Sequence, residues 1–360
     1  MSAKATIKYV GMDVHKETIS IAVVNATGRL IMQSVIATAR EPILDFIGGL
    51  SGTVHVTFEE GNYSAWLYPL LARVVAKAVV CNPRKNALLK SGSKSDRIDS
   101  QKLAELLWLG KLKNVYHADH GLQTLKELGR TYAGLTDDTT RVMSRLKALY
   151  RGQAIPNKGR SLYTRRRREQ WLSQLPAQEV GLRRRAECLF EQLDSLQKLR
   201  RQARTDFLTE SRKQPASKIL PTIPFLGPIR TAQLIARVQT PHRFRTKRQF
   251  WTYCGFGVDT WTSSDYRITD GHIQRRQKPV FVRGLNLDHN HQLKSIFKST
   301  ATTASVKPGP LREYYQGLLD KHMLPAMARI TLARKIAAIT LAIWKKGERF
   351  DPRYLNTQAA

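Results

Sequence analysis

The sequence predicts an α/β domain at the N-terminus followed by a mostly helical remainder, and three observations predict it. Short β-prone runs are concentrated before Cys81, with helical sequence entering between the later ones. From Leu122 onward, apolar residues recur in steps of three and four. The chain's 360 residues are 42% hydrophobic, enough for ordinary cores in two or three domains.

The first strand runs from Ile7 to Met12 and ends on Asp13. Thr18 to Asn25 and Leu30 to Ile36 follow, joined by the turn-like ATGR. A fourth strand, Thr53 to Phe58, precedes Glu59 and Glu60 and leads into a helical run from Ser64 to Ala76. Ala78 to Cys81 then stops at Asn82 and Pro83, and an amphipathic helix begins near Asp96. Acidic residues thus fall at strand ends, where ligands of open α/β sheets gather. This domain is assigned residues 1–121.

A helical region is assigned to 122–214. Leu125, Leu128, Tyr132, Leu135, Val142, Leu146 and Leu149 form one packing seam, interrupted by Thr139. Leu182, Ala186, Leu189, Leu193, Leu196, Ala203 and Phe207 form a second, interrupted by Arg200. Periodicity does not name a helix's partner, so pairing within the chain and pairing between two chains both stand.

The third region, 215–360, opens with PTIPFLGPIRTAQLIARV. Its PFLGP turn either points helix-start N–H groups at a phosphate, in the manner of a helix-hairpin-helix motif, or simply precedes a core helix. Asp270-Gly271 suits a tight hairpin turn, with Ser263 and Ser264 just ahead of it. Helical sequence from Leu311 to Met323 and from Pro325 to Lys346 completes the chain.

Sixty Lys plus Arg against 28 Asp plus Glu leave a net charge of +32, spread along the length, which implies a polyanionic partner. Arg165, Arg166, Arg167 and Arg168 lie between the two seams. Arg243, Arg245, Lys247 and Arg248 precede the serine pair, and Arg275, Arg276 and Lys278 follow it. These are the candidate contacts to DNA or RNA phosphates. The most apolar late stretch is broken by Arg334 and Lys335, so no membrane span is expected. The N-terminus lacks a signal core, and Cys81, Cys188 and Cys254 form no CxxC pair, so a cytoplasmic setting is expected.

Asp13, Glu59, Asp96 and Asp99 come from three elements of the α/β domain. Clustered carboxylates repel one another unless a cation sits among them, and hard oxygen donors select Mg²⁺ or Mn²⁺. Three-residue spacing puts Asp96 and Asp99 on one side of their helix while Leu103, Leu106 and Leu107 pack inward. Glu59 is chosen over Glu60 because it shares a strand face with His55 and Thr57, whereas Glu60 would follow Val54, Val56 and Phe58 toward apolar packing. His15 is read as a first-turn or core histidine.

The segments GMDVHKE, FEEGNYSAW and KSDRIDSQKLAE resemble, in this order, those of the DEDD-type transposases of bacterial insertion sequences, the family that includes the Piv-type invertases. The resemblance continues through IPFLGPIRTAQLIA, FRTKRQFWTYCGFGV, the serine pair and KPVFVRGLN. It implies a RuvC-like, RNase H-type N-terminal domain whose quartet maps onto Asp13, Glu59, Asp96 and Asp99 and binds Mg²⁺. It further implies a coiled-coil middle and a C-terminal domain with a nucleophilic serine, here Ser263, eight residues past Gly255. The chain departs from the pattern in reading TSSD, which keeps Ser264 as the alternative. A noncoding guide RNA, donor and target DNA duplexes and a homo-oligomer are the implied partners, with a covalent phosphoserine intermediate as the implied chemistry. Two other readings compete: a Mg²⁺-dependent nuclease of the Holliday-junction type, and a nucleic-acid-binding protein whose acids are structural.

Overall fold

The computed structural model describes residues 6–83, 95–117, 122–261, 266–275 and 281–356. The chain divides into two compact units, Met1–Gly121 and Leu122–Ala360.

The first unit is built on a five-stranded mixed sheet of order β3-β2-β1-β4-β5. Strands β1 (Ile7–Val14), β2 (Thr18–Val24) and β3 (Leu30–Ala37) form an antiparallel meander. Strands β4 (Thr53–Glu59) and β5 (Lys77–Cys81) extend it in parallel on the other side of β1. Helices α1 (Arg40–Gly48) and α2 (Ser64–Leu71) provide the crossovers that parallel pairing demands. Period-two alternation sorts the strand residues. Val10, Met12, Val54, Val56, Phe58 and Val80 form one core with Ile43 and Ile47 of α1 and Leu67 and Leu71 of α2.

The opposite face carries α3 (Asp96–Trp108). Leu103 and Leu106 pack with Cys81, and Ala104 packs with Ala22 and Val24. The helix starts at Ser95, whose hydroxyl accepts a hydrogen bond from the Ile98 N–H at 3.3 Å. It ends at Trp108, whose indole N–H donates to the Ala26 carbonyl in the β2–β3 turn at 3.2 Å.

Helix α1 was not expected from sequence. Only Ile43 and Ile47 are buried in it, and its Pro42 and Gly48-Gly49 read as turn residues. The run from Ser64 stops at Leu71 rather than Ala76, soon after Pro69 inside the helix.

In the second unit, α4 (Gln123–Gly152) and α6 (Val180–Arg212) pack against each other within the one chain, one of the two pairings that periodicity allows. They run antiparallel: Val142, Leu146 and Leu149 late in α4 share a core with Ala186, Phe190 and Leu193 early in α6, while Leu125 and Phe207 meet at the other end. The short α5 (Arg168–Leu172) closes the first of these cores with Trp171 and Leu172. Thr139 is buried in the seam because its hydroxyl donates to the Leu135 carbonyl at 2.6 Å.

Helices α7 (Ala216–Ile219), α8 (Pro228–Val238), α9 (Lys247–Tyr253), α10 (His291–Ala304) and α11 (Pro310–Leu319) pack around α12 (Pro325–Lys346) or beside it. Strand β6 (Val258–Trp261) pairs with β9 (Phe281–Leu285), and β7 (Tyr266–Thr269) with β8 (His272–Arg275). Asp270 and Gly271, at φ +51° and +77°, make the tight turn between β7 and β8. Among the described residues, no helix is long and apolar enough to cross a membrane.

Candidate metal centre and nucleic-acid contacts

Gly11, Asp13, Thr57 and Glu59 lie on the α3 side of the sheet. Gly11 is registered with Thr57, and Met12 with Phe58, so Asp13 and Glu59 are the next residues on neighbouring parallel strands. Tyr9 and His55, one pair earlier on the same face, meet edge to face with ring centroids 5.5 Å apart. Glu60 does not turn toward apolar packing as its alternation implied. The strand has ended at Glu59, and Glu60 is exposed with its N–H donating to the Cys81 carbonyl at 2.9 Å.

Across from these strand ends, the N-terminus of α3 presents Asp96 and Asp99 in its first turn, where the helix dipole favours negative charge. His15 bridges the two elements: its Nε2 lies 3.1 Å from Asp13 Oδ2 and 3.5 Å from Asp96 Oδ1. His15 is therefore neither a core nor a first-turn residue. It sits exposed in the β1–β2 turn, with its backbone N–H donating to Thr18 at 2.9 Å and its carbonyl accepting from the Thr38 hydroxyl at 2.9 Å.

Donor atoms of Asp13, His15 and Asp96 all lie within 4.8 Å of one another. Asp99 is one turn along, close enough for its charge to act on both Asp13 and His15. Glu59 stands at the adjacent strand end but outside this tight group. Burial pushes the Asp13 carboxyl above its ordinary pKa, the neighbouring Asp96 and Asp99 push the same way, and His15 opposes them. The hydrogen bond to Asp13 raises the His15 imidazole above its usual value.

These residues fit a hard divalent cation. Asp99 Oδ1 is buried with no hydrogen-bond partner among the described residues, an uncompensated acceptor that a cation would satisfy. The carboxylate oxygens of Asp13, Asp96 and Asp99 are hard donors that suit Mg²⁺ or Mn²⁺, and the His15 imidazole beside them hydrogen-bonds Asp13. The imidazole is the neighbour of Asp13 that sequence reading missed; its signal was the two-residue spacing from Asp13 across a tight turn.

The candidate phosphate contacts separate into groups. Arg165, Arg166 and Arg167 occupy one exposed tight turn. Arg168, the next residue, is turned inward: its Nη2 donates to Asp194 Oδ1 at 2.8 Å, and its guanidinium lies over the Phe190 ring at 4.9 Å. That side chain ties α5 to α6, so its charge is committed within the protein. Arg243 is held against the rings of Phe244 and Tyr253, at 5.0 and 4.8 Å, and Lys247 lies 6.0 Å from the Trp251 ring. Arg245, Arg248 and Arg275 are exposed. Ser263, Ser264, Arg276 and Lys278 lie outside the described residues. In the PFLGP turn, Phe225 adopts φ +66° and its carbonyl accepts from Arg230 Nη1 at 2.6 Å, while no side chain caps the start of α8.

Residues 10–152 match a family model for DEDD-type IS110 transposases, and residues 217–316 match a second, described as the transposase IS116/IS110/IS902 family. The chain is also similar to the insertion element IS116 uncharacterized 44.8 kDa protein of Streptomyces clavuligerus, at 25% identity over 160 residues. That match covers 44% of this chain and 36% of the relative, little more than a third of the relative's length.

Proposed function

The chain belongs to the IS116/IS110/IS902 family of insertion-sequence transposases, and from that premise we propose that it cuts and rejoins DNA through a phosphoserine intermediate. The observation that supports DNA cutting is the meeting of Asp13, His15 and Asp96, with Asp99 unsatisfied beside them, in a chain of net charge +32, and the serine step rests on the family resemblance. The sheet order, with an antiparallel meander extended by two parallel strands, is compatible with an RNase H-like N-terminal domain. We read the paired α4 and α6 as the coiled-coil middle, and the PFLGP turn leading into α8 as the helix-hairpin-helix-like element.

In this proposal Asp13, Glu59, Asp96 and Asp99 hold Mg²⁺, with Mn²⁺ as a substitute. A divalent ion held there would offset the negative charge of a scissile phosphate. Asp13 and Asp96 orient the site from strand and helix, and His15, hydrogen-bonded to Asp13, sets the direction of that carboxylate. Ser263, with Ser264 as the alternative, supplies the nucleophile. Its oxygen forms a bond to phosphorus as one bridging deoxyribose oxygen departs, and the serine proton ends on the departing oxygen. A DNA hydroxyl then attacks the phosphoserine, releasing serine and sealing a new junction. The ester conserves the energy of the original bond, so no nucleotide triphosphate is consumed.

The charge supports more than one nucleic-acid partner. A guide RNA held together with donor and target duplexes would account for it, with sequence choice made by base pairing. Joining two duplexes calls for at least a dimer.

The test combines purified protein, RNA transcribed from the element, labelled duplex DNA and Mg²⁺, followed by denaturing electrophoresis. Wild type is expected to yield a protein–DNA adduct, Ser263→Ala none, and Asp13→Ala a large reduction. An undiminished adduct from Ser263→Ala moves the role to Ser264 or elsewhere. Free ends without an adduct would replace the proposal with hydrolysis by water, and binding without breakage would leave the acids structural.

A further inference from the structure

A cavity of ≈ 190 Å³ lies in the second unit, lined from α4, α6 and α8, and the chemistry above makes no use of it. Lys126 and Arg130 of α4 are four residues apart on one helix face, and Gln233 and Arg237 of α8 are likewise paired, so both helices send a cation-bearing face into the same void. Gly129 permits the close packing of these elements: a Cβ there would lie 3.1 Å from a ring carbon of Phe207. Tyr253, Gln239 and Asn290 complete the polar side.

Three features mark this cavity as incomplete. Arg130 pairs with Glu127 at 2.7 Å, but among the described residues Arg237 has no acidic partner, and its Nε is buried without a hydrogen bond. Gln239 Oε1 is also buried and unpartnered, an acceptor that a water or the hydroxyl of a protonated phosphate would satisfy. Gln239 itself ends α8 at φ +65°, a left-handed conformation unusual for a side-chain-bearing residue. Unsatisfied polar groups and backbone strain persist together where a ligand or function compensates for them. Burial lowers the Arg237 guanidinium below its usual pKa, Tyr253 opposes it, and the charge of Arg130 adds a smaller lowering. Water could satisfy the amide, but it carries no charge to offset the repulsion between Arg130 and Arg237.

We propose that this cavity is a binding pocket for a phosphate group, held by Arg237, Arg130 and Lys126. Its volume corresponds to about six waters at about 30 Å³ each. That lies below the roughly 300 Å³ at which whole-ligand pockets begin. It therefore suits a single phosphate with part of what is attached, rather than a complete cofactor. The source is either a free phosphate or a backbone phosphate of a nucleic-acid strand lying over the mouth. The inference does not depend on the serine chemistry and stands or falls apart from it.

The test titrates the full chain with inorganic phosphate by calorimetry at moderate salt, then repeats the titration in the presence of a short single-stranded DNA. Wild type is expected to bind phosphate saturably. Arg237→Gln and the more exposed Arg130→Gln should each weaken it about tenfold or more, the loss expected for a charge-assisted hydrogen bond. Arg312→Gln, an exposed change of equal charge on α11, should leave it unchanged. Competition by the oligonucleotide assigns the pocket to a strand phosphate; its absence assigns it to a free anion. The proposal is overturned if wild type shows no saturable phosphate binding, or if Arg312→Gln weakens binding as much as the two pocket variants do. Arg130→Gln keeps the test decisive should Arg237→Gln fail to fold.

Discussion

Gly11 in β1 and Ser100 in α3 approach so closely that a Cβ on Gly11 would lie 2.1 Å from the Ser100 carbonyl oxygen. It would also stand 2.5 Å from the Ala104 nitrogen and 2.9 Å from the Leu103 Cβ. The obstacles at Ser100 and Ala104 are backbone atoms, so no rotamer change relieves them. The missing side chain lets α3 rest directly on the strand that carries Asp13, and this contact brings the first turn of α3 to the acidic cluster. Gly11→Ala is expected to push α3 off the sheet and cost about 1–3 kcal/mol or more, the range for overpacking a close contact. Urea denaturation measures the loss, and Mg²⁺ affinity should fall with it. A variant of wild-type stability and affinity would show that α3 can dock otherwise.

Asp99 gives a prediction with opposite signs in two conditions. Without a cation, its carboxylate adds repulsion to Asp13 and keeps one oxygen unsatisfied. Asp99→Asn should therefore leave the melting temperature unchanged or raise it in chelator. With Mg²⁺, wild type should gain stability as bound ligand accumulates, about 2.7 kcal/mol at a hundredfold excess over Kd, and Asp99→Asn should gain far less. Thermal melts with chelator and with millimolar Mg²⁺ check both halves; an equal Mg²⁺ shift in both proteins would remove Asp99 from the site.

Strand positions were legible because alternation is local: Val10 and Met12 face one core while Tyr9 and Gly11 face the other side. The face shared by His55, Thr57 and Glu59 follows from the same rule. Where a helix lands was not legible, since an isolated strand glycine reads as weakness rather than as a docking point. Helix α1 escaped notice because two buried isoleucines four apart make too short a stripe. His15 was misread because a tight turn, unlike a strand or helix, has no period from which a side-chain direction follows. The α4 and α6 seams were visible, but their pairing partner depends on the path of the chain between them. The cavity at Arg237 draws on residues from Lys126 to Asn290, which no spacing rule connects.

The arginine run 165–168 should divide functionally after its third residue. Arg165, Arg166 and Arg167 are exposed, so converting all three to Gln should spare folding while weakening nucleic-acid binding. If each neutralises one phosphate, the slope of log affinity against log salt should drop by about 2–3, since each contact contributes about 0.9. Arg168→Gln should do the reverse, lowering stability with little change in salt slope. Filter binding across a salt series separates the two, and an unchanged slope in the triple variant would exclude this turn from the interface.

Arg168 and Asp194 set a pH dependence whose sign can be worked out. The hydrogen bond from Arg168 holds the Asp194 carboxyl below its ordinary pKa, against the smaller effect of burial. A carboxyl depressed in the folded state contributes stability that is fully present above its unfolded pKa, about 3.9. The contribution is lost as pH falls from there through the lower folded value, where the carboxylate takes up its proton. Because Asp194 remains partly open to solvent, the contribution is expected at or below about 1 kcal/mol. Asp194→Asn should therefore be less stable than wild type at pH 7, with the gap narrowing between about pH 4 and pH 2 as the wild-type carboxylate is protonated. Paired urea denaturation curves across that range measure the gap. A difference that stays constant with pH would trace the loss to packing or to the amide's hydrogen bonding, and not to the charge on Asp194.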